Sequence, residues 1–371
     1  MDNVFFKVWR NKVIRKIILY HTKLYKQNRL ISIEYIDKLR NFPHRNYILE
    51  LIVKTSSGDA LKVGDIPASV QKISFQTYFY QEIDIGFFPN GLKSLDFGKW
   101  FNKDLSGGRL PPLLETLKLG RSFNQKFSHG DLPDSLTDIR FSFSYSFNLG
   151  GGIIPRRVKK LSLPSYRFKI EKDDIPETVQ KLWLGGCQQI QPNTLPSNLQ
   201  FLSCKVDFVP DALPLSLKVL KIKNSCQLPK LNKGDIPPLV EELKIGGISE
   251  PLEPGVLPPS ITKLTFTSSS LFTKGTLPPF LKELVFDYYN EPISKDCLPT
   301  SLEILSFGDV FDQPLNFIPN NLKKLTLGFF YNQNINVGDL PSSLTSLTLN
   351  GYYNPDTMHI PDSVTELIEN Y

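Results

Sequence analysis

The sequence predicts a mainly-β solenoid of about fifteen coils of 20–22 residues, with one parallel sheet on its concave side and a small helical cap at the N-terminus. Three observations predict it. A hydrophobic residue followed by proline recurs fifteen times, with the prolines at 67, 89, 111, 133, 155, 176, 196, 214, 237, 258, 278, 299, 319, 341 and 361. The intervals between them lie between 18 and 23 residues, and a fixed period of this size is the mark of stacked repeats. After each proline the chain reads x-x-[Leu/Val/Ile]-x-x-[Leu/Ile]-x-[hydrophobic], the alternation of a short strand buried on one side. The domain division that follows is residues 1–60 as a helical cap ending in a first strand and residues 61–371 as the repeat array.

The cap is read from residues 4–25. Phe5, Trp9, Val13, Ile17, Tyr20 and Leu24 recur at spacings of three and four, which places them on one helical face. Lys7, Lys12, Arg15 and Lys23 occupy the other faces. Ser32 is the expected N-cap of a second short helix carrying Ile33, Ile36 and Leu39. Tyr47–Val53 reads as the strand that starts the sheet. A hydrophobic cap packing Phe5, Trp9 and Ile17 onto the first coils is the leading reading, because an open solenoid end exposes its core. A docking helix for a partner protein and a basic amphipathic helix on an anionic membrane fit the same residues.

The coil from Ile318 to Asp339 shows the rest of the repeat. Leu325 and Leu327, two residues apart, point to the same side of a strand, and Leu322 closes the core just before it. Leu95, Leu117, Leu161, Leu182, Leu264, Leu284, Leu305, Leu325 and Leu347 all stand six residues after a proline, so they are expected to line one core row. Proline lacks an amide donor and cannot lie inside a ladder bonded on both sides, so it belongs at the end of the return segment. That segment is rich in Gly, Asn and Pro, which implies an irregular or 3₁₀ return rather than helices. About twelve residues after many prolines comes an aromatic followed by Asn or Asp: Phe101-Asn102, Phe123-Asn124, Phe311-Asp312, Tyr331-Asn332 and Tyr353-Asn354, with Phe147-Asn148 and Tyr289-Asn290 as variants. These are expected to form a stacked spine with turn-bonding amides. Gly64-Asp65, Gly130-Asp131, Gly234-Asp235 and Gly338-Asp339 mark a second turn.

Phe311-Asp312-Gln313-Pro314-Leu315, Tyr331-Asn332-Gln333-Asn334-Ile335 and Phe123-Asn124-Gln125 resemble the FNIP repeat, over roughly residues 60–371. The resemblance implies a leucine-rich-repeat-like fold, because Leu322, Leu325, Leu327 and Leu344, Leu347, Leu349 match the L-x-x-L-x-L strand core. The resemblance fixes architecture rather than activity; the repeat and the missing catalytic motifs point to a non-catalytic protein-protein interaction scaffold. Some members carry an F-box, which makes a substrate-recognition subunit of a ubiquitin ligase, with a degenerate F-box-like N-terminus, the alternative. The pattern lapses after Pro176, where Cys187-Gln188 replaces the aromatic pair, and after Pro196 and Pro214.

Charge and chemistry narrow the function. Residues 1–50 carry eleven Lys/Arg against four Asp/Glu, while the whole chain has a formal net charge of +6. The repeat array is therefore near neutral, and no nucleic-acid partner is expected. The histidines at 21, 44, 129 and 359 are scattered, and no metal-ligand or nucleophile motif appears, so neither enzyme activity nor a cofactor is expected. Cys187, Cys204, Cys226 and Cys297 have no C-x-x-C spacing, Cys204 stands at a core strand position, and no secretory leader or membrane span is seen. A cytoplasmic monomer with an unidentified protein partner is expected. The outward strand positions are mostly small or polar, with one exception. Trp183, flanked by Phe201, Val219 and the cations Lys181, Lys221 and Lys244, has the composition of a binding hot spot, and these six residues are the candidate partner surface.

Overall fold

Each of the fifteen prolines opens a tight turn, and a strand begins five residues later in every coil. The carbonyl of Pro89 accepts from the Leu92 amide at 3.0 Å, and the same bond recurs from Leu114 to Pro111 and from Leu302 to Pro299. Proline contributes its carbonyl here and needs no donor. The residue three beyond it, such as Leu92 or Leu322, is fully buried under the turn. In this computed structural model the residues described are 11–54, 60–76, 78–186, 189–205, 209, 211–222, 230–246, 250–267, 272–351 and 358–370.

The chain divides into two compact units, residues 1–166 with 173–179 and residues 167–172 with 180–371. The first contains helix α1 (Lys12–Asn28), strand β1 (Leu30–Ile33), helix α2 (Ile36–Arg40), a 3₁₀ turn at Arg45–Tyr47 and strands β2 (Glu50–Val53), β3 (Lys72–Phe75), β4 (Ser94–Asp96), β5 (Thr116–Lys118), β6 (Asp138–Arg140) and β7 (Lys160–Leu163). Its strands pair in parallel and in sequence order, with Ile73, Leu95, Leu117, Ile139 and Leu161 side by side. The second unit contains β8 (Lys181–Leu184), β9 (Phe201–Cys204), β10 (Val219–Ile222), β11 (Glu242–Ile245), β12 (Lys263–Phe266), β13 (Glu283–Phe286), β14 (Ile304–Phe307), β15 (Lys324–Leu327), β16 (Ser346–Asn350) and β17 (Glu366–Asn370). Here Leu264, Leu284, Leu305, Leu325 and Leu347 stand in one parallel register. All nine leucines of the expected core row are at most 1% exposed. Cys204 is fully buried in the second core row, as its position in the repeat implies. Cys187 and Cys226 lie outside the described residues.

The spine is real, and it obeys position rather than residue pattern. Phe97, Phe101 and Phe123 stack at 4.0 and 6.2 Å, and Phe307, Phe311 and Tyr331 at 3.7 and 6.2 Å. In the coil after Pro133 the buried ring is Tyr145, twelve residues on, and not Phe147 as the Phe-Asn pattern suggested. Tyr145 meets Phe127 at 6.4 Å, whereas Phe147 is half-buried. The buried ring stands eleven or twelve residues after the proline, as Tyr166 and Tyr289 do at eleven, and Phe147 at fourteen lies beyond that place. Tyr353-Asn354 lies outside the described residues.

The polar half of the motif ties one coil to the next. The Asn102 side-chain oxygen accepts from the Asn124 amide at 2.8 Å, and the Asn124 oxygen accepts from the Ser146 amide and hydroxyl, both at 2.9 Å. The second unit repeats this from Asn290 to the Asp312 amide and from Asp312 to the Asn332 amide, both at 2.8 Å. Gln125, Gln313 and Gln333 donate to the same oxygens. A second column was not anticipated. The hydroxyl two residues after a proline donates to the previous coil's carbonyl, as in Ser135 to Leu114, Ser301 to Leu281 and Ser343 to Leu322 at 2.6–2.7 Å. The Gly-Asp turns also form. Asp65, Asp131, Asp235 and Asp339 each accept the amide three residues back, next to a glycine at φ between 88° and 100°, the left-handed conformation that glycine adopts without strain. Where the strands end, coils approach closely enough that a Cβ on Gly120 would overlap the Gly98 carbonyl.

The N-terminal helices are present, but the division of labour differs from expectation. The seal is made by α2, which buries Ile36 and Leu39, and by β1, which pairs with β2 and buries Ile33. Ser32 lies inside β1, and α2 is preceded by Tyr35, which makes no side-chain cap bond. The sheet thus starts one strand earlier than the Tyr47–Val53 segment. Ile17 does not pack onto the coils: it is 50% exposed, and Leu24 is the one buried residue of α1. Phe5 and Trp9 lie outside the described residues. Arg40 of α2 reaches the first Gly-Asp turn, donating Nε and Nη2 to Asp65 at 3.0 and 2.8 Å.

Three outcomes follow from these contacts. Leu305→Ala should cost ~2–5 kcal/mol, read by denaturant unfolding, because coils above and below keep the cavity from collapsing. Asn124→Ala should speed hydrogen exchange at the Ser146 amide and cost about 1 kcal/mol, leaving the ring stack intact. The Arg40 hydrogen bonds hold the Asp65 carboxyl below its ordinary value. That pairing is at full strength above the ordinary carboxylate pKa of ~3.9 and is lost as pH falls through the lowered folded value. Asp65→Asn should therefore lower the melting temperature at neutral pH and remove this part of the acid-induced loss, measured as melting temperature against pH.

Candidate interaction surface

Strand alternation leaves two outward side chains per strand, and cross-strand ion pairs occupy many of these positions. Lys72 pairs with Glu50 at 3.4 Å, Lys118 with Asp96 at 3.8 Å, Lys160 with Asp138 at 3.8 Å and Lys263 with Glu283 at 2.7 Å. Charges of opposite sign stand beside one another on adjacent strands, so the face is charged in detail and neutral in sum. Exposed pairs of this kind contribute little to stability, about 0–1 kcal/mol each.

The candidate residues interrupt this pattern on β8, β9 and β10. Leu182 and Leu184 are buried and direct Lys181 and Trp183 outward. Register places Lys181 beside Phe201, and Phe201 beside Val219. Trp183 and Phe201 meet at 4.8 Å with their planes tilted by 44°. Trp183, Phe201 and Val219 are all half-buried, and Lys181 is exposed. The neighbour of Trp183 on β9 is Ser203, small enough for the indole to lie over it; Ser203 itself is 4% exposed. The structure thus brings three apolar side chains together across three strands.

The flanking cations behave differently from the sequence expectation. Lys221 pairs with Glu242 at 2.8 Å and stands 5.9 Å from the Phe201 ring centre, and Lys244 pairs with Asp287 at 2.9 Å. Their charge is met within the sheet face, so the patch is apolar and bordered by ion pairs. Acidic residues at Glu242 and Asp287 were legible in the sequence, but strand-by-strand reading did not link them to lysines on other strands. The lapse of the aromatic pair after Pro176, Pro196 and Pro214 falls largely on residues outside those described.

Another cluster escaped sequence reasoning because it sits beyond the strands, next to the spine ring. In the first unit Tyr78 and Trp100 stack at 6.0 Å, with the Lys99 Nζ 4.6 Å from the Trp100 ring. Arg121 lies 5.5 Å from the Phe143 ring. A cavity of about 310 Å³ beside them is lined by Lys99, Lys118, Arg121 and Arg140, with Asp96 as its acid. The available signal was an aromatic immediately before the buried one, as in Tyr78-Phe79 and Trp100-Phe101.

No group of His, Cys, Asp and Glu able to hold a metal occurs among the described residues. The FNIP Repeat model matches residues 59–99, 101–144, 228–269, 270–309, 289–330 and 331–368.

The chain belongs to the FNIP repeat family.

Among solved structures it is similar to CroV588, a circular leucine-rich-repeat protein of a giant virus, at 26% identity with a TM-score of 0.68. The match covers 88% of this chain and 53% of CroV588, so the chain spans about half the length of that protein. YopM, a leucine-rich effector of Yersinia pestis, matches at 17% identity and a TM-score of 0.47, covering 94% of this chain and 90% of YopM. Comparison with curated proteins returned no match. The matched FNIP stretches leave out residues 145–227, the part of the array that holds Trp183, Phe201, Val219 and Lys221. Strands β8, β9 and β10 keep the parallel register within that stretch.

Proposed function

We propose that this FNIP-repeat chain is a non-catalytic, cytoplasmic scaffold that binds a protein partner on the outward face of β8–β10. The observation that carries the reading is the contact between Trp183 and Phe201, with Val219 beside Phe201. It forms an apolar surface with two aromatic rings in contact on a sheet face where other outward apolar residues, such as Val285 and Ile304, stand singly among polar neighbours. Aromatic side chains at the centre of a polar rim are the usual anchors of protein interfaces. Leucine-rich-repeat scaffolds of this type commonly serve protein-protein interaction. The partner should offer an apolar side chain for the Trp183–Phe201 surface and polar groups for the Lys221–Glu242 and Lys244–Asp287 rim. Cys204 and Cys297 are buried and the four cysteines have no C-x-x-C spacing, which supports a reducing compartment.

Trp183→Ala is the decisive variant. Leu182 and Leu184 hold β8 in place, so thermal unfolding should change little, while partner binding weakens by ~2 kcal/mol or more. The comparison is quantitative recovery of proteins from the native cell with wild-type and variant baits, followed by a measured affinity for the recovered partner. Equal recovery by both baits would sink the reading.

A further inference from the structure

The uncovered side of α1 is the largest feature that the scaffold reading leaves unused. Helix α1 is fastened at its C-terminal half. Leu24 is buried, His21 Nδ1 bonds the Tyr47 hydroxyl at 2.5 Å, and Tyr25 meets the Tyr47 ring edge-on at 4.9 Å. The N-terminal half presents Val13, Ile14, Ile17, Ile18 and Tyr20 at 37–68% exposure. Such a run of large apolar side chains on one helix costs free energy in water unless a surface covers it.

Charge identifies that surface. The seventeen residues of α1 include Lys12, Arg15, Lys16, Lys23 and Lys26 and no acid. At 100° per residue all five cations fall within an arc of roughly 100°, and the exposed Val13, Ile14, Ile17, Ile18 and Tyr20 occupy the opposite ~160°, the arc in which Leu24 and Tyr25 fasten the C-terminal half of the helix. Leu19 is the one apolar residue among the cations. A helix that docks in a protein groove uses a narrow apolar stripe with flanks matched to one partner. A wide apolar face backed by an all-cationic face suits a bilayer interface instead. There the apolar side enters the acyl boundary, and Lys and Arg stems reach back to anionic headgroups. Each cation near such a surface adds to the attraction. No helix among the described residues is long and apolar enough to cross a membrane, so this contact lies on the surface.

We infer that α1 is a membrane-surface anchor that docks the chain on anionic lipid bilayers. The occupant of the uncovered face is the headgroup and acyl boundary of an anionic leaflet, met by Val13, Ile14, Ile17 and Ile18. This inference is independent of the partner surface on β8–β10.

The test is flotation of the full chain with vesicles of phosphatidylcholine alone or phosphatidylcholine with phosphatidylserine. Binding should be confined to the phosphatidylserine vesicles and should fall as salt rises. Ile17→Glu should weaken it about tenfold or more by removing apolar burial and adding like charge. The triple reversal of Lys12, Arg15 and Lys16 to Glu should abolish it. Ile17 is half exposed, so circular dichroism and melting temperature should not move, and Trp183→Ala should float like the wild type. The inference is overturned by an absence of flotation, by equal flotation on neutral vesicles, or by Ile17→Glu binding as the wild type does. It is also overturned if Ile17→Glu instead dissolves a dimer in solution or breaks a complex with a protein while vesicle binding is absent.

Discussion

Every contact in either unit depends on one constraint: each coil must return to the same point on the repeat before its next strand begins. A parallel ladder offers no hairpin to fix register, so register has to be set by something outside the strand. Here it is the turn that opens at proline. Its carbonyl takes the amide three residues on, the residue at that place drops into the core, and five residues after the proline the strand starts. The return segment absorbs all variation in length, which is how intervals from 18 to 23 residues produce strands in step. Had the variation fallen between proline and strand, a single extra residue would have turned a core leucine toward solvent.

The columns of polar side chains extend the same logic to the return side, where no regular ladder runs. Backbone amides there still need acceptors. Asn102, Asn124, Asn290 and Asp312 supply them across coils, and at several proline turns a serine hydroxyl donates to a carbonyl of the previous coil. An Asn or Asp works in this place because its short side chain holds an acceptor oxygen within reach of the next coil. The FNIP motif is thus a device for joining neighbours, in which the ring fills the core and the amide satisfies the backbone. A repeat so occupied with its own cohesion has few side chains left for other molecules. Those few stand out for that reason. The Trp183–Phe201 surface and the Tyr78–Trp100 stack are both made by side chains that neither the core row nor the polar columns use.

At the N-terminus two jobs that one amphipathic pattern suggests are carried by different elements. Sealing the first coil takes little: the short strand β1, two side chains of α2 and the Arg40–Asp65 link. Helix α1 has more apolar surface than the seal requires, and most of it, in the N-terminal half, is exposed. The spacing of Val13, Ile17, Tyr20 and Leu24 was correctly read as a single helical face. Periodicity reports that a face exists and is silent on what lies against it, because a core, a partner and a bilayer all select the same residues.

The sequence alone determined the repeat, its register, the leucine core row, the Gly-Asp turns, the buried thiol at Cys204 and the family. All of these are properties of a residue's distance from its own proline, and such local spacings survive in a linear chain. Tertiary structure decided what depends on a neighbouring coil. It chose Tyr145 over Phe147 for the spine, since stacking follows the ring's position relative to the coil beside it. It joined Lys221 to Glu242 and Lys244 to Asp287, pairs separated by 21 and 43 residues along the chain, and so matched two of the three flanking cations with acids while Lys181 stays exposed. It left Ile17 in solvent although the helical pattern suggested burial. Side-chain contacts across coils are set by strand pairing and by the space each turn leaves, and neither quantity is written in the identity of the residues that meet.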